Sequence, residues 1–251
     1  MSETPNQDDH GRLEAQYHEL AKLAGELAHE IKNPLSVVRM NMDLLAEDFA
    51  DAETPRERRA ARKIDMVQEQ CTRLENLAND FLKFTRMRDL KLRPGDLNEQ
   101  LDRVLRFFEA PAQTVGIDFI RNLDPDLPSI LLDEQTLHAA LMNLIKNSIE
   151  AMPNGGRLWV RTQLTRTGVS LDLIDTGCGM DDKTAMKMFD PFYTNKDGGS
   201  GLGLPTARKI IEAHKGLISV QSEVGRGTKF TIEFPTPARI AAGDSDASDA
   251  T

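Results

Sequence analysis

Over the first third of the chain, apolar residues recur at steps of three and four. Leu13, Tyr17, Leu20, Ala24, Leu27, Ile31, Leu35, Val38, Met42, Leu45 and Phe49 form one series, and Ile64, Val67, Cys71, Leu74, Ala78, Phe81 and Thr85 a second. Such spacing lines apolar side chains along one stripe of a helix, as in a coiled-coil seam. It predicts one long helix from about Arg12 to about Phe49. A second follows the segment ADAETPRERRA, whose Thr54 and Pro55 suit a turn and a helix start. Leu77, Leu82 and Phe84 widen the second stripe. One hairpin alone leaves much of these stripes wet, whereas two hairpins joined as a four-helix bundle bury them, so a homodimer is expected. A lone coiled coil, or a hairpin packed on the rest of its own chain, is the alternative.

The pattern changes at LKLRPGDLNEQ, where Pro94 and Gly95 break the helical run and Asp96 suits the cap of a new helix through Val104 and Phe108. Alternating stretches then appear at IDFIRNL, RLWVRTQL, VSLDLID, LISVQSEV and TKFTIEFP, with helical stretches near Glu134 to Met152 and Thr206 to His214 between them. The expected fold is therefore multidomain: an α-helical hairpin over 12–92, then an α+β sandwich over 93–236 whose mixed sheet carries helices on one face. Residues 1–11 read as a loose start and 237–251 as a small, acidic, disordered tail.

Charge and composition narrow the function. A net charge of -9 and an aromatic content of 5% disfavour a nucleic-acid surface. Two cysteines, Cys71 and Cys178, make neither a disulfide framework nor a zinc motif, which favours a reducing, cytoplasmic setting. No stretch approaches the roughly 20 apolar residues of a membrane helix, and the polar start MSETPNQDDHG is not a secretory signal.

Candidate chemistry begins at AHEIKNPLS. His29 lies two residues beyond the seam residue Leu27, about 200° around the helix and so toward water. A lone histidine there is usually an ordinary surface residue. Its neighbours are less ordinary: Glu30 adjoins it, Asn33 lies one turn on, and Pro34 is expected to bend or loosen the helix. The three-four series also stutters at this point.

The second half carries four separated motifs. On LHAALMNLIKNSIEAM, Asn143 and Asn147 are four apart and share a helix face, while Leu137, Leu141, Leu144 and Ile145 pack. An asparagine oxygen suits a hard Mg²⁺ that takes its other ligands from water and phosphate, although a polar helix edge has the same look. In DTGCGM, the Asp175 carboxylate can accept from an exocyclic amine such as that of adenine, and Gly177 and Gly179 permit a tight turn. In FDPFYTNKDGGSGLGLPTARKII, Phe189, Phe192 and Tyr193 read as a hydrophobic anchor ahead of a glycine-rich lid that carries Lys196 as a mobile charge for a terminal phosphate. The backbone from Ser200 through Gly201, Leu202 and Gly203 to Leu204 opens a helix and can face an anion. No strand precedes it as a dinucleotide fold requires. In GRGTKFTIEFP, Thr228 can help Asp175 hold a base edge.

HEIKNPL together with these motifs, in this order, resembles two-component sensor histidine kinases. The first is similar to their phosphoacceptor box and the rest to the asparagine, glycine and phenylalanine boxes of the Bergerat-type ATP-binding fold, shared with gyrase B, Hsp90 and MutL. NSIEAMPNGG is similar to the pattern of kinases of the nitrogen-regulation type. The resemblance implies ATP as phosphoryl donor, Mg²⁺ on Asn147, and His29 as the phosphorylated residue with Glu30 as its base. It further implies Asn33 in dephosphorylation of the partner, and transfer to an aspartate of a response regulator receiver domain. Two departures stand out. Hydrolases of the superfamily carry a water-activating glutamate where this chain has Asn143, and many members carry an aromatic where it has Ala151. A Bergerat-fold ATPase or serine-directed kinase, and a non-enzymatic dimeric scaffold, are the alternatives.

Overall fold

The computed structural model describes residues 7–51, 53–85, 90–196 and 198–236, with the backbone course alone for 7–24, 26, 27 and 29. The expectations for residues 1–6, for the 237–251 tail, and for the side chains of His29 and the seam residues up to Leu27 lie outside what is described. The chain forms two compact units. One comprises Met1–Met87 with Asn195–Ser200, the other Arg88–Thr194 with Gly201–Thr251.

The first unit is a helical hairpin of α1 (Gln7–Asp48) and α2 (Pro55–Thr85). Helix α1 starts at Gln7, earlier than the periodicity placed it. Pro34 does not break α1, which runs through it. The proline offers no N–H to the Glu30 carbonyl, four residues back. Helix α2 opens with a capping box. The Glu57 N–H donates to Thr54 Oγ1 (3.2 Å), while the Glu57 carboxylate accepts from the backbone of Thr54 (2.8 Å) and Glu53 (3.0 Å). The Thr54 contacts hold the Glu57 carboxyl below its ordinary range. Arg39 pairs with Glu75 at 3.1 Å and Gln68 donates to Asp43 at 2.7 Å across the hairpin.

The hairpin seam is split by position in the heptad. Ala28 on α1 and Ile64, Cys71, Ala78 and Leu82 on α2 are buried, with Leu35, Met42 and Phe49 partly covered. Ile31, Val38 and Leu45, three residues after Ala28, Leu35 and Met42, stay 38–44% exposed, as do Val67 (40%) and Leu74 (45%), three after Ile64 and Cys71. Each stripe thus has a more covered side and a more exposed side.

The second unit is a layer of helices on a sheet. Its elements are β1 (Arg93–Gly95), α3 (Leu97–Thr114), β2 (Ile117–Asn122), β3 (Ile130–Leu132), α4 (Glu134–Glu150), β4 (Gly156–Leu164), β5 (Gly168–Asp175), α5 (Asp182–Lys187), α6 (Gly203–Ala213), β6 (Leu217–Glu223) and β7 (Gly227–Pro235). The sheet order is β2-β4-β5-β7-β6, with β2 and β4 parallel and the other neighbours antiparallel; β1 and β3 form a separate pair. Strand parity builds the core. Leu158 and Val160, Val169, Leu171 and Leu173, and Phe230, Ile232 and Phe234 share one face by register and are buried. Leu101, Val104 and Leu105 of α3, Leu137, Leu141, Leu144 and Ile145 of α4, and Ile210 and Ile211 of α6 supply the facing layer.

The helices are capped as their sequences dictate. Asp96 accepts from Asn98 (2.7 Å) and Glu99 (3.4 Å), and Asp133 from Thr136 (3.0 Å). Burial acts to raise the Asp133 carboxyl, but bonds from the Thr136 and Lys91 backbone and the Thr136 hydroxyl outweigh it, and the net shift is downward. His214 Nε2 accepts from the Asp133 N–H at 3.0 Å and its Nδ1 meets the Ile210 carbonyl at 2.8 Å, tying the end of α6 to the start of α4.

Candidate functional site

The buried face of the sheet turns polar at one end. Asp175 is the last residue of β5, opposite Thr228 of β7, which is in turn opposite Ser222 of β6. Directly opposed residues project on the same face, so Asp175, Thr228 and Ser222 form one row continuing the line of Leu173, Phe230 and Val220. Asp175 is buried, and its Oδ1 accepts from the N–H groups of Gly177 (2.9 Å) and Thr228 (3.1 Å). Two backbone donors on one oxygen fix the carboxylate's orientation.

Glycines make this arrangement possible. A side chain at Gly177 would meet the Ala151 carbonyl at 2.7 Å, and one at Gly227 (φ +105°) would lie 2.0 Å from the Asp175 carbonyl. The turn is tied to the end of α4, since the Cys178 N–H donates to the Ala151 carbonyl at 3.0 Å. Ala151 therefore serves as close-packed backbone under the turn, and a larger residue there would compete with Gly177 for space.

The asparagine pair meets the start of α6. A Cβ built on Gly203 would lie 3.5 Å from Asn143 Oδ1 and 3.7 Å from Asn147 Nδ2, so the first residue of α6 sits against both amides. Asn147 Nδ2 donates to the Asn143 carbonyl at 2.9 Å, which turns the amide nitrogen toward its own helix and the oxygen away from it. The N-cap of α6 is Leu202, without a side-chain cap bond. Helix starts of this kind direct N–H groups at anions.

The segment before α6 differs in part from expectation. Phe192 is not a hydrophobic anchor: it is 57% exposed and holds φ +66°, and Met188 is the buried residue there. The backbone explains this. Phe192 N–H donates to the Gly201 carbonyl at 3.0 Å, closing the base of the intervening loop, and Gly201 itself has φ +65°. Phe189 lies under the Arg208 guanidinium at 5.3 Å from its ring centre, and the Tyr193 hydroxyl donates to Thr184 at 3.3 Å. Helix α5, which the sequence did not signal, is capped by Asp181, whose bonds from Thr184 hold its carboxyl below the ordinary range. Lys196 and Ser200 group with the helical unit, where Ser200 Oγ donates to Asp80 at 2.8 Å.

The structure thus brings together Asn143, Asn147 and Gly203, and separately Asp175, Gly177, Gly179 and Thr228, all within one unit. Glu30 and Asn33 are exposed on α1. Ser222 was not singled out by the sequence. A serine in an alternating strand carries no signal of its own, and only the cross-strand register reveals it. Among the described residues no cluster of three or more His, Cys, Asp or Glu could hold a metal ion. A cation at Asn147 would have a neutral amide oxygen from the protein and would rely on phosphate and water for the rest, which suits Mg²⁺ accompanying a nucleotide.

A helical layer on one face of a mixed sheet, with polar groups gathered at the strand ends and at a helix start, defines a Bergerat-type ATP-binding domain following a helical hairpin. Family models agree: residues 132–238 match the histidine kinase-, DNA gyrase B- and HSP90-like ATPase family, and residues 19–90 match the His kinase A phosphoacceptor domain. The chain is 32% identical over 217 residues to the signal transduction histidine-protein kinase AtoS of Escherichia coli, covering 86% of this chain and 35% of that protein. It is 31% identical over 219 residues to sporulation kinase E of Bacillus subtilis, covering 87% and 29%. Among solved structures, full-length ShkA in complex with AMPPNP superposes with a TM-score of 0.67 at 27% identity, covering 85% of this chain and 45% of that one. The catalytic domain of the histidine kinase ThkA gives 0.54 at 33% identity, covering 59% and 99%. The chain belongs to the two-component sensor histidine kinases and contains their catalytic core. It spans about a third of the length of the first of these curated relatives. Among the described residues no helix is long and apolar enough to cross a membrane.

Proposed function

We propose that the protein autophosphorylates His29 from ATP and passes the phosphoryl group to an aspartate on a response regulator receiver domain. The observation that carries this reading is the coexistence in one chain of a helix-borne HEIKNP box and an ATP-binding domain whose Asp175–Thr228 row and α6 start suit adenine and phosphate respectively. Asp175 and Thr228 receive the base edge. Asn143, Asn147 and the start of α6 receive the phosphates. Mg²⁺ at Asn147 would neutralise charge on the phosphate oxygens as the β,γ-bridge breaks.

In the transfer step one nitrogen of the neutral His29 imidazole forms the N–P bond, the bond from the γ-phosphorus to the bridging oxygen breaks, and ADP leaves. Glu30, the adjacent carboxylate, takes or holds the proton of the other ring nitrogen. Asn143, standing where the hydrolases carry a glutamate, offers no carboxylate to activate water at that position, which disfavours simple hydrolysis there. Asn33, exposed one turn after His29, is assigned to dephosphorylation of the regulator. Equal dephosphorylation by wild type and Asn33→Ala would remove that role.

The split heptad supports a homodimer in which Ile31, Val38, Leu45, Val67 and Leu74 meet a second hairpin. Incubation with γ-labelled ATP tests the central claim. Label that is acid-labile, base-stable and absent from His29→Gln is expected, and label that survives this substitution refutes the acceptor.

A further inference from the structure

We propose that Ser222 is a positioning residue that makes the base site selective for a 6-amino purine, by fixing which way the Thr228 hydroxyl points. The inference rests on the reading of the Asp175–Thr228 row as the base site and names a determinant of its specificity.

Three hydrogen bonds converge on Ser222 Oγ. It accepts from the Met180 N–H at 2.8 Å, donates to the Gly227 carbonyl at 3.0 Å, and lies 2.9 Å from Thr228 Oγ1. A hydroxyl has one proton. The Gly227 carbonyl can only accept, so the serine proton goes there, and the Thr228 contact is then made by the threonine proton. With its proton committed to Ser222, Thr228 Oγ1 presents lone pairs alone to a ligand. Beside it stands Asp175, whose Oδ1 takes two backbone N–H groups and whose carboxylate likewise only accepts.

A base edge entering this row meets acceptors at two adjacent strand positions and must bring hydrogens to them. The 6-amino group of adenine brings two. The 6-carbonyl of hypoxanthine or guanine brings lone pairs against lone pairs, and a site that leaves polar groups unpaired rejects the wrong ligand strongly. Without Ser222 the Thr228 hydroxyl is released to rotate and donate, and the penalty against a carbonyl falls.

The test is calorimetric binding of ADP and IDP to the full chain. These diphosphates differ only at the purine 6-position and its adjoining ring proton, and neither supplies a phosphoryl group. Ser222→Ala is expected to lower the IDP-to-ADP ratio of Kd values by about tenfold while ADP affinity changes less than about threefold. Ser222→Thr, which keeps the hydroxyl, should restore the wild-type ratio. An unchanged ratio, or parallel weakening of both nucleotides as expected of structural support alone, overturns the proposal. Should Ser222→Ala not fold, Ser222→Cys, whose thiol is a weak donor and acceptor, carries the same test. Wild-type protein that binds neither diphosphate overturns the base-site reading itself, and this failure shows in the unmutated chain.

Discussion

Leu74→Glu should dissociate the proposed dimer. Five residues of the hairpin, Ile31, Val38, Leu45, Val67 and Leu74, keep 38–45% of their surface exposed at the outward heptad positions. Fully burying an aliphatic side chain is worth about 1.5–3 kcal/mol, so covering the exposed two-fifths of each yields roughly 1 kcal/mol. Ten such residues across two copies give about 6–12 kcal/mol, of the same order as the cost of association. Leu74→Glu removes roughly 1 kcal/mol of burial and adds a carboxylate without a partner, about 2 kcal/mol or more, at each of two symmetric sites. The dimer Kd should rise by about ten-thousandfold or more, since each 1.4 kcal/mol is a factor of ten. Sedimentation equilibrium measures this directly. Met66 is the control: at 65% it is more exposed than Leu74, yet it lies about 100° around α2 from Val67 and off the stripe. Met66→Glu should leave the dimer intact. A monomeric wild type, or equal dissociation by both variants, would refute the assignment of this face.

Asp175→Asn should fold but bind ADP more weakly by about a hundredfold. The Gly177 and Thr228 N–H groups force the amide oxygen into the Oδ1 position, which puts an NH₂ where the second carboxylate oxygen stood and faces a donor with a donor; unchanged ADP affinity by calorimetry would reject the base contact. Gly227→Ala should cost about 2–4 kcal/mol in urea unfolding, because it combines φ +105° with a methyl 2.0 Å from backbone, whereas Gly225→Ala, at φ +78° with nothing within 4 Å, should cost about 1 kcal/mol. Equal costs would show that positive φ alone governs both positions. Folded-state pKa values of Glu57, Asp133 and Asp181 lie below their unfolded values, so the stability they contribute is present above the unfolded carboxylate range and is lost as pH falls through the lowered values. Thermal melts at pH 7 and pH 3.5 should show Tm falling, and a flat Tm would contradict it.

Periodicity located the long helices, α4 and all five strands of the main sheet because each buries one face, and burial on one face is what a repeat of 3.6 or 2 records. Asp96 was legible as a cap because its side chain bonds within the next turn. Other features depend on contacts that a linear pattern does not hold. Ala28 is buried in the hairpin, yet its small side chain leaves Leu27 and Ile31 to dominate the series. Strands β1 and β3 are three residues each and exist through one another, 39 positions apart at Arg93 and Leu132. Helix α5 buries no residue and so shows no stripe. The aromatic run FDPFY suggested three anchors, but the positive φ at Phe192 swings one of them out. Of the candidate site, the asparagine pair and Asp175 were readable as types at spacings. The grouping of Lys196 and Ser200 with the helical unit was not, because it depends on contacts such as that of Ser200 with Asp80, 120 positions away in the chain.

The parity that fills the core also aims the site. Along β5 the residues Val169, Leu171 and Leu173 pack inward, and the same alternation, carried one step further, delivers Asp175 to the polar end of that face. Thr228 follows from Phe230 and Ile232 by the same rule, and Ser222 from Val220. A slip of one residue between β5 and β7 would turn every one of these side chains to the other face at once. The register that keeps Asp175, Thr228 and Ser222 in one row is therefore held by some of the most thoroughly buried side chains in the unit. Hence a substitution such as Leu171→Ala should lower stability by about 2–5 kcal/mol while leaving the ADP-to-IDP preference of the remaining folded protein intact. Loss of that preference in a still-folded variant would mean that the row can move independently of the core.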